Sequence, residues 1–200
     1  MKFLHATDLH FNKHWFDWIA DQQEIFDVFC LTGDFLEPAS DVPLSSQIEW
    51  ISGWMKNFTK PLFVCSGNHD IEEEAHEGWL CRISNVYGDN TIQTIKGIKF
   101  GCVPYIGGDL LDFCDCDIIL NHVPPAKTDT STDKKEQDWG DRELTRLLKN
   151  QLLAPKYLLC GHMHNPKKVT ATLHNTTISN PGIGPKEKTP RHNVFMLDSL

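Results

Sequence analysis

Aspartate, asparagine and histidine, which offer carboxylate, amide and imidazole ligands, recur in this chain in five short clusters. These are Asp8-Leu9-His10, Gly33-Asp34, Gly67-Asn68-His69-Asp70, Asn121-His122 and Gly161-His162-Met163-His164. Each follows an apolar run: Phe3-Leu4, Val28-Phe29-Cys30-Leu31, Leu62-Phe63-Val64-Cys65, Ile118-Ile119-Leu120 and Tyr157-Leu158-Leu159-Cys160. Short apolar runs of this kind read as fully buried strands. In open α/β sheets, ligands gather at the carboxyl ends of strands. Five strand ends therefore aim oxygen and imidazole ligands at a common space. That mixture suits borderline divalent transition metals better than calcium or a thiolate zinc site. Taken singly, Asp8 or Asp34 reads as a cap or turn residue, and His122 as a satisfied histidine at a strand end. Their convergence favours metal ligation, because a structural role needs no such convergence.

The elements that must position these groups alternate as a layered α/β fold requires. Trp15, Trp18, Ile19 and Phe26 give one apolar helix face after the first cluster. Ser46-Gln47-Ile48-Glu49 matches a capping box, and Ile48, Ile51, Met55 and Phe58 follow on one side until Lys60-Pro61. A third helix carries Leu144, Leu147, Leu148 and Leu152 and stops before Pro155. Short strands are expected over 168–173, 176–179 and 193–197, completing a second sheet. The polar segment 124–140 reads as an exposed loop, either functional or a mobile excursion. Nothing repeats and no linker divides the chain, so residues 1–200 read as one domain.

At 200 residues and 40% hydrophobic content, the chain can bury a large core. A formal charge of −8 argues against general adhesion to nucleic acid or an anionic membrane. Bound metals would still give local positive potential for a phosphate. With no run of membrane-spanning length and an N-terminus that enters a strand directly, a cytoplasmic location is expected. Of seven cysteines, Cys30, Cys65, Cys102 and Cys160 fall in expected strands and read as reduced core residues. Cys114-Asp115-Cys116 lacks a second pair and reads as structural. The tryptophans mostly sit at helical spacing, which favours core packing over base stacking. His5, His76 and His174 read as surface or packing residues, and His14 as a candidate for the pocket mouth.

The order D-x-H, G-D, G-N-H-D, H, G-H-x-H resembles that of the calcineurin-like metallophosphoesterase family. The resemblance runs from Asp8 to His164, and Asn180-Pro181-Gly182 looks like the family's closing N-P-G turn. It implies a sandwich of two mixed sheets flanked by helices, with a dinuclear metal site at the strand C-terminal ends. By the same resemblance Asp8, His10 and His164 hold one metal, Asn68, His122 and His162 the other, and Asp34 bridges both. The ions would be two divalent transition metals (Mn, Fe, Zn, Ni or Co), manganese foremost, whose shared hydroxide attacks phosphorus in line. His69 would face the substrate, stabilising developing charge or protonating the leaving oxygen, and Asp70 would orient the His69 imidazole. Gly33, Gly67 and Gly161 would permit tight turns where metal and phosphate approach the backbone.

Within that family the chain is most similar to small, cap-less phosphodiesterases, through Asn121-His122-Val123-Pro124-Pro125. Protein phosphatases carry an Asp-Arg-Gly string where this chain has Phe35-Leu36-Glu37-Pro38. The N-terminus also resembles nucleases of double-strand-break repair, but those carry a further DNA-binding domain for which an acidic chain of 200 residues leaves no room. A non-catalytic scaffold is the remaining alternative, and the intact ligand pattern counts against it. A small phosphodiester is thus the expected partner, with no stable nucleic-acid or membrane partner. Near the clusters only Lys13 and Arg82 are cationic, unless the tail brings Lys186, Lys188 or Arg191 inward.

Overall fold

Apolar side chains on both faces of a strand demand cover on both sides, and the computed structural model meets that demand with four layers. It describes residues 1–71, 78–83 and 85–197. His76, read as a surface or packing residue, lies outside them, as does the side chain of Arg82. Strands β1 (Lys2–Ala6), β2 (Val28–Thr32) and β3 (Leu62–Cys65) run parallel. The second sheet contains β4 (Ile92–Ile95), β5 (Ile98–Cys102), β6 (Ile118–Leu120), β7 (Tyr157–Leu159), β8 (Thr170–Leu173) and β9 (Thr176–Ser179). Its order is β4-β5-β6-β7-β9-β8, with β5, β6, β7 and β9 parallel and an antiparallel strand at each edge.

The last strand, β10 (His192–Met196), corrects the expectation that the whole tail joins the second sheet. It crosses back and pairs antiparallel with β1, giving the order β10-β1-β2-β3. Between the sheets, Phe3, Val28, Cys30, Phe63 and Cys65 meet Phe100, Cys102, Ile118, Leu120 and Leu159. The opposite face of the first sheet is covered by helices α1 (Lys13–Asp21) and α2 (Leu44–Lys56), through Trp15, Phe16, Ile19, Ile51 and Met55. The outer face of the second sheet is covered by α3 (Arg142–Lys149), through Leu144, Leu147 and Leu148.

Helix ends differ from the sequence reading for physical reasons. α2 starts at Leu44 behind Pro43, with no side-chain cap, so the Ser46–Glu49 box is unused. Gln47 is instead fully buried and clamps the preceding loop. Its Oε1 accepts from Glu37 N at 2.9 Å, and its Nε2 donates to Val42 O at 2.8 Å. α3 begins at a cap that the pattern did not reveal, Asp141, whose carboxylate accepts from Glu143 N and Leu144 N. It ends before Leu152, which is 50% exposed, and Leu153 enters the core in its place. Phe26 is buried beyond the end of α1, and the helix face is completed by Phe16.

Segment 124–140 is only partly the exposed loop expected. Thr130, Ser131 and Thr132 are buried. Among the described residues no helix is long and apolar enough to cross a membrane.

Candidate metal centre

All five clusters lie just beyond the carboxyl ends of β1, β2, β3, β6 and β7. The loops after β1 and β2 are zipped together: Asp8 N donates to Gly33 O (3.1 Å), His10 N to Asp34 O (2.9 Å) and Phe11 N to Phe35 O (2.8 Å). Asp8, His10, Asp34 and His162 adopt left-handed backbone conformations, with φ of 52°, 41°, 53° and 64°. Asp and His tolerate that region better than most residues. Each instance still costs roughly 1–3 kcal/mol, which surrounding structure must offset. Four of the seven candidate ligands thus sit on strained backbone.

The glycines act differently from the sequence reading. Gly33 alone of the three needs a left-handed conformation, at φ 79°. Gly67 and Gly161 are required by close approach, because side chains of the site lie against their backbone. A Cβ at Gly67 would collide with Asp34 Oδ1, and one at Gly161 with Thr7 Oγ1 and Asp8 Oδ2.

The seven residues read as ligands are brought together in two overlapping groups. Donor atoms of Asp8, His10, Asp34 and His164 all lie within 4.8 Å of one another. Within this group His10 Nε2 faces His164 Nε2 at 3.3 Å, and His164 Nε2 lies 3.4 Å from Asp8 Oδ1. In the second group Asn68 Oδ1 lies 2.9 Å from His162 Nδ1 and 3.2 Å from His122 Nε2. His122 Nε2 is also 3.4 Å from Asp34 Oδ2, so Asp34 belongs to both.

Hydrogen bonding decides whether this donor set fits cations. His122 Nδ1 donates to Thr32 O at 2.7 Å, which leaves the Nε2 lone pair of the neutral ring aimed at Asp34 and Asn68 oxygens. Three acceptors facing one another repel unless a cation stands between them. A proton can serve. Burial works to lower the His122 pKa, but the Asp34 charge and hydrogen bond raise it to about 9. A metal ion can replace that proton, and the oxygen–imidazole set suits a divalent transition metal. His10 also turns Nε2 toward the cluster, while its buried Nδ1 lies 3.4 Å from Glu37 Oε2, outside hydrogen-bond geometry. The residues therefore fit the pair of ions.

Charge is distributed accordingly. Burial opposes ionisation of Asp34, yet His122 and the His69 N–H, which donates to Oδ1 at 2.9 Å, hold its pKa below the carboxylate range. The hydrogen bond from His164 to Asp8 raises the His164 pKa. Burial depresses those of His10 and His162.

Asp70 corrects the sequence reading. Its buried carboxylate was expected to orient His69, but Oδ1 accepts from Phe35 N and Leu36 N, and Oδ2 from Gly67 N at 2.8 Å. It locks the loop after β2 to the loop after β3. Burial, joined by the Asp34 charge, pushes its pKa up to about 8 against those three N–H groups. The reason is local: Asn68–Ile71 form a 3₁₀ turn, where consecutive side chains diverge. His69 faces the cluster, with Nε2 3.9 Å from Asp34 Oδ2 and its ring edge-on to His10 at 5.0 Å.

Glu37 and Tyr105 gave no signal in the sequence, whereas Asn180 belongs to the N-P-G turn noted there. Glu37 faces His10, and Tyr105 sets its ring edge-on to His122 at 5.9 Å. Asn180, fully buried, donates through Nδ2 to Gly161 O and Met163 O and so braces the loop carrying His162 and His164. Two recesses meet at His164. One, of about 320 Å³, is lined by Asp34, Asn68, His69, Trp139, His162 and Met163. The other, of about 270 Å³, is lined by Leu9, His10, Trp15, Glu37, Ile183 and Pro185 among others. Among the described residues no lysine or arginine lines either. The tail does fold against α1, but Lys188 lines only an outer hollow there, together with His14, and Arg191 pairs with Glu187 at 2.8 Å. His5 is fully buried and His174 exposed.

A family model described as calcineurin-like phosphoesterase matches residues 1–166. Among solved structures, TT1561 of Thermus thermophilus superposes with a TM-score of 0.67 at 14% identity, over 90% of this chain and 88% of that one. A structure described as a novel archaeal phosphodiesterase gives 0.53 at 17% identity, over 98% and 100%. The purple acid phosphatase PPD1 of yellow lupin (Lupinus luteus) seeds gives 0.58 at 12% identity, over 90% and 43%. At such identities the likeness speaks for the fold. No curated protein matches the chain.

Proposed function

The chain belongs to the calcineurin-like phosphoesterase family, and we propose that it is a two-metal phosphoester hydrolase that prefers small diesters. Asp8, His10 and His164 would hold one ion, Asn68, His122 and His162 the other, and Asp34 both. Bound there, two divalent cations, manganese foremost, supply Lewis acidity for a phosphoryl oxygen and make water nucleophilic at neutral pH. The chain's own residues do the rest. Asp34 spends its negative charge between the two groups, while Asn68 and the imidazoles add none, so the site stays electrophilic toward an anion. His69, facing the recess beside Asp34 without belonging to either group, meets the leaving oxygen and donates a proton to it. Thr32 O fixes the tautomer of His122, and the Glu37 carboxylate faces His10 Nδ1.

The observation that carries the diester preference is the lack of lysine and arginine, among the described residues, in both recesses that meet at His164. A monoester dianion typically calls for additional cationic side chains, whereas a diester monoanion can rest on the metals alone. Two recesses also offer room for two ester arms. The archaeal phosphodiesterase that shares this fold is in keeping with that reading. Comparing kcat/KM of the manganese-loaded protein on bis(p-nitrophenyl) phosphate and p-nitrophenyl phosphate tests it. The diester should win by about tenfold, equivalent to ~1.4 kcal/mol of barrier. An equal monoester advantage, or processive cleavage of single-stranded DNA, would contradict the preference.

A further inference from the structure

Of the six tryptophans, Trp15 and Trp79 are buried in the core beneath α1 and α2, and Trp18, Trp50 and Trp54 pack half-buried against it. Trp139 does not. It is 49% exposed and lines the recess shared by Asp34, His69, His162 and Met163.

The segment carrying it is held firmly in place. Trp139 N donates to Ser131 O at 3.0 Å, and Asp133 N to Gln137 O at 2.9 Å. Asp138 Oδ1 accepts from Ser131 Oγ at 2.7 Å and from Gly140 N at 3.1 Å. The next residue, Gly140, lies so close to Ala126 that a Cβ would collide with its backbone. Asn180, which braces the loop of His162 and His164, also donates to Thr130 O at 3.0 Å. One buried amide thus ties the tryptophan-bearing loop to the metal-site loop. The backbone that carries the indole is thus fixed before a ligand arrives, which lowers the ordering cost of binding.

We propose that Trp139 is a specificity-determining residue, a platform on which a planar aromatic arm of the phosphodiester, aryl or nucleobase, stacks beside the metals. The assignment rests on the hydrolase reading above. Three features select the occupant. The recess is about 320 Å³, enough for one ring system next to the phosphate. Met163 adds a polarizable apolar wall, which favours an aromatic edge. No lysine or arginine among the described residues lines it, which disfavours a further anionic group.

Competition against bis(p-nitrophenyl) phosphate hydrolysis by the manganese-loaded protein tests the assignment. The probes are phenyl methyl phosphate, with one aromatic arm, and dimethyl phosphate, with none. The parent should bind the phenyl ester about tenfold more tightly, the order expected of one stacked ring. Trp139→Ala and Trp139→Leu should bring the two inhibition constants together at unchanged metal content, and Trp139→Phe should restore most of the difference. A parent without aryl preference, or a preference that survives Trp139→Ala, overturns the platform while leaving the hydrolase reading intact. A parent that binds two metals yet hydrolyses no ester overturns both.

Discussion

A neutral imidazole can present only one lone pair, and the partner of its other nitrogen decides where that lone pair points. At His122 the partner is Thr32 O, whereas His10 Nδ1 has the Glu37 carboxylate 3.4 Å away without a hydrogen bond to it. The His122 ring is therefore set before any ion arrives. His69 differs, since it faces the recess without belonging to either donor group. His69→Ala should keep both ions and lose about 10²- to 10⁴-fold in kcat on a diester, the usual contribution of a general acid. Loss of an ion, seen by elemental analysis, would make it a ligand; nearly unchanged turnover would remove it from the chemistry. The ligand types were legible in the sequence because each sits a few residues past a buried strand. Glu37, Tyr105 and Trp139 were not, because the fold alone brings their loops to the site. Asp70 misled for a related reason: a neighbour in sequence is not a neighbour in space within a 3₁₀ turn.

At the scale of elements, apolar runs located the strands that precede the five clusters, since burial on both faces leaves little freedom in composition, whereas the edge strand β4, with no buried residue, was not read. Helix ends were less legible. A capping box competes with every other demand on its residues, and burial of Gln47 against the 37–42 loop outweighed it. The return of β10 to the first sheet carries no local signal, because edge pairing is a choice between equivalent partners. One strand residue joins the layers. His5 of β1 is fully buried, with Nδ1 2.7 Å from Ser179 Oγ in the opposite sheet and Nε2 2.9 Å from Thr32 Oγ1. Burial lowers its pKa from 6.5 to about 3. The unfolded chain then binds this proton first, so stability is complete above pH 6.5 and falls as pH drops toward 3. Between pH 6.5 and 5, urea unfolding should show the parent losing ~1.4 kcal/mol per pH unit more than His5→Gln. Parallel stability profiles would show that His5 charges in the folded state.

The molecule as a whole is acidic, at −8, yet it gathers five of its ten histidines and the carboxylates of Asp8 and Asp34 at one edge of the sandwich. Two sheets converge there: β1, β2 and β3 supply Asp8, His10, Asp34 and Asn68, and β6 and β7 supply His122, His162 and His164. Neither sheet alone carries a complete donor set, so the site reports on the packing of the entire sandwich. Asp34 is common to both groups, so both ions depend on it. Elemental analysis of metal-reconstituted protein measures it directly. Two transition-metal ions per chain are expected in the parent, and loss from both sites in Asp34→Asn. One ion per chain, or full occupancy in the variant, would contradict that expectation.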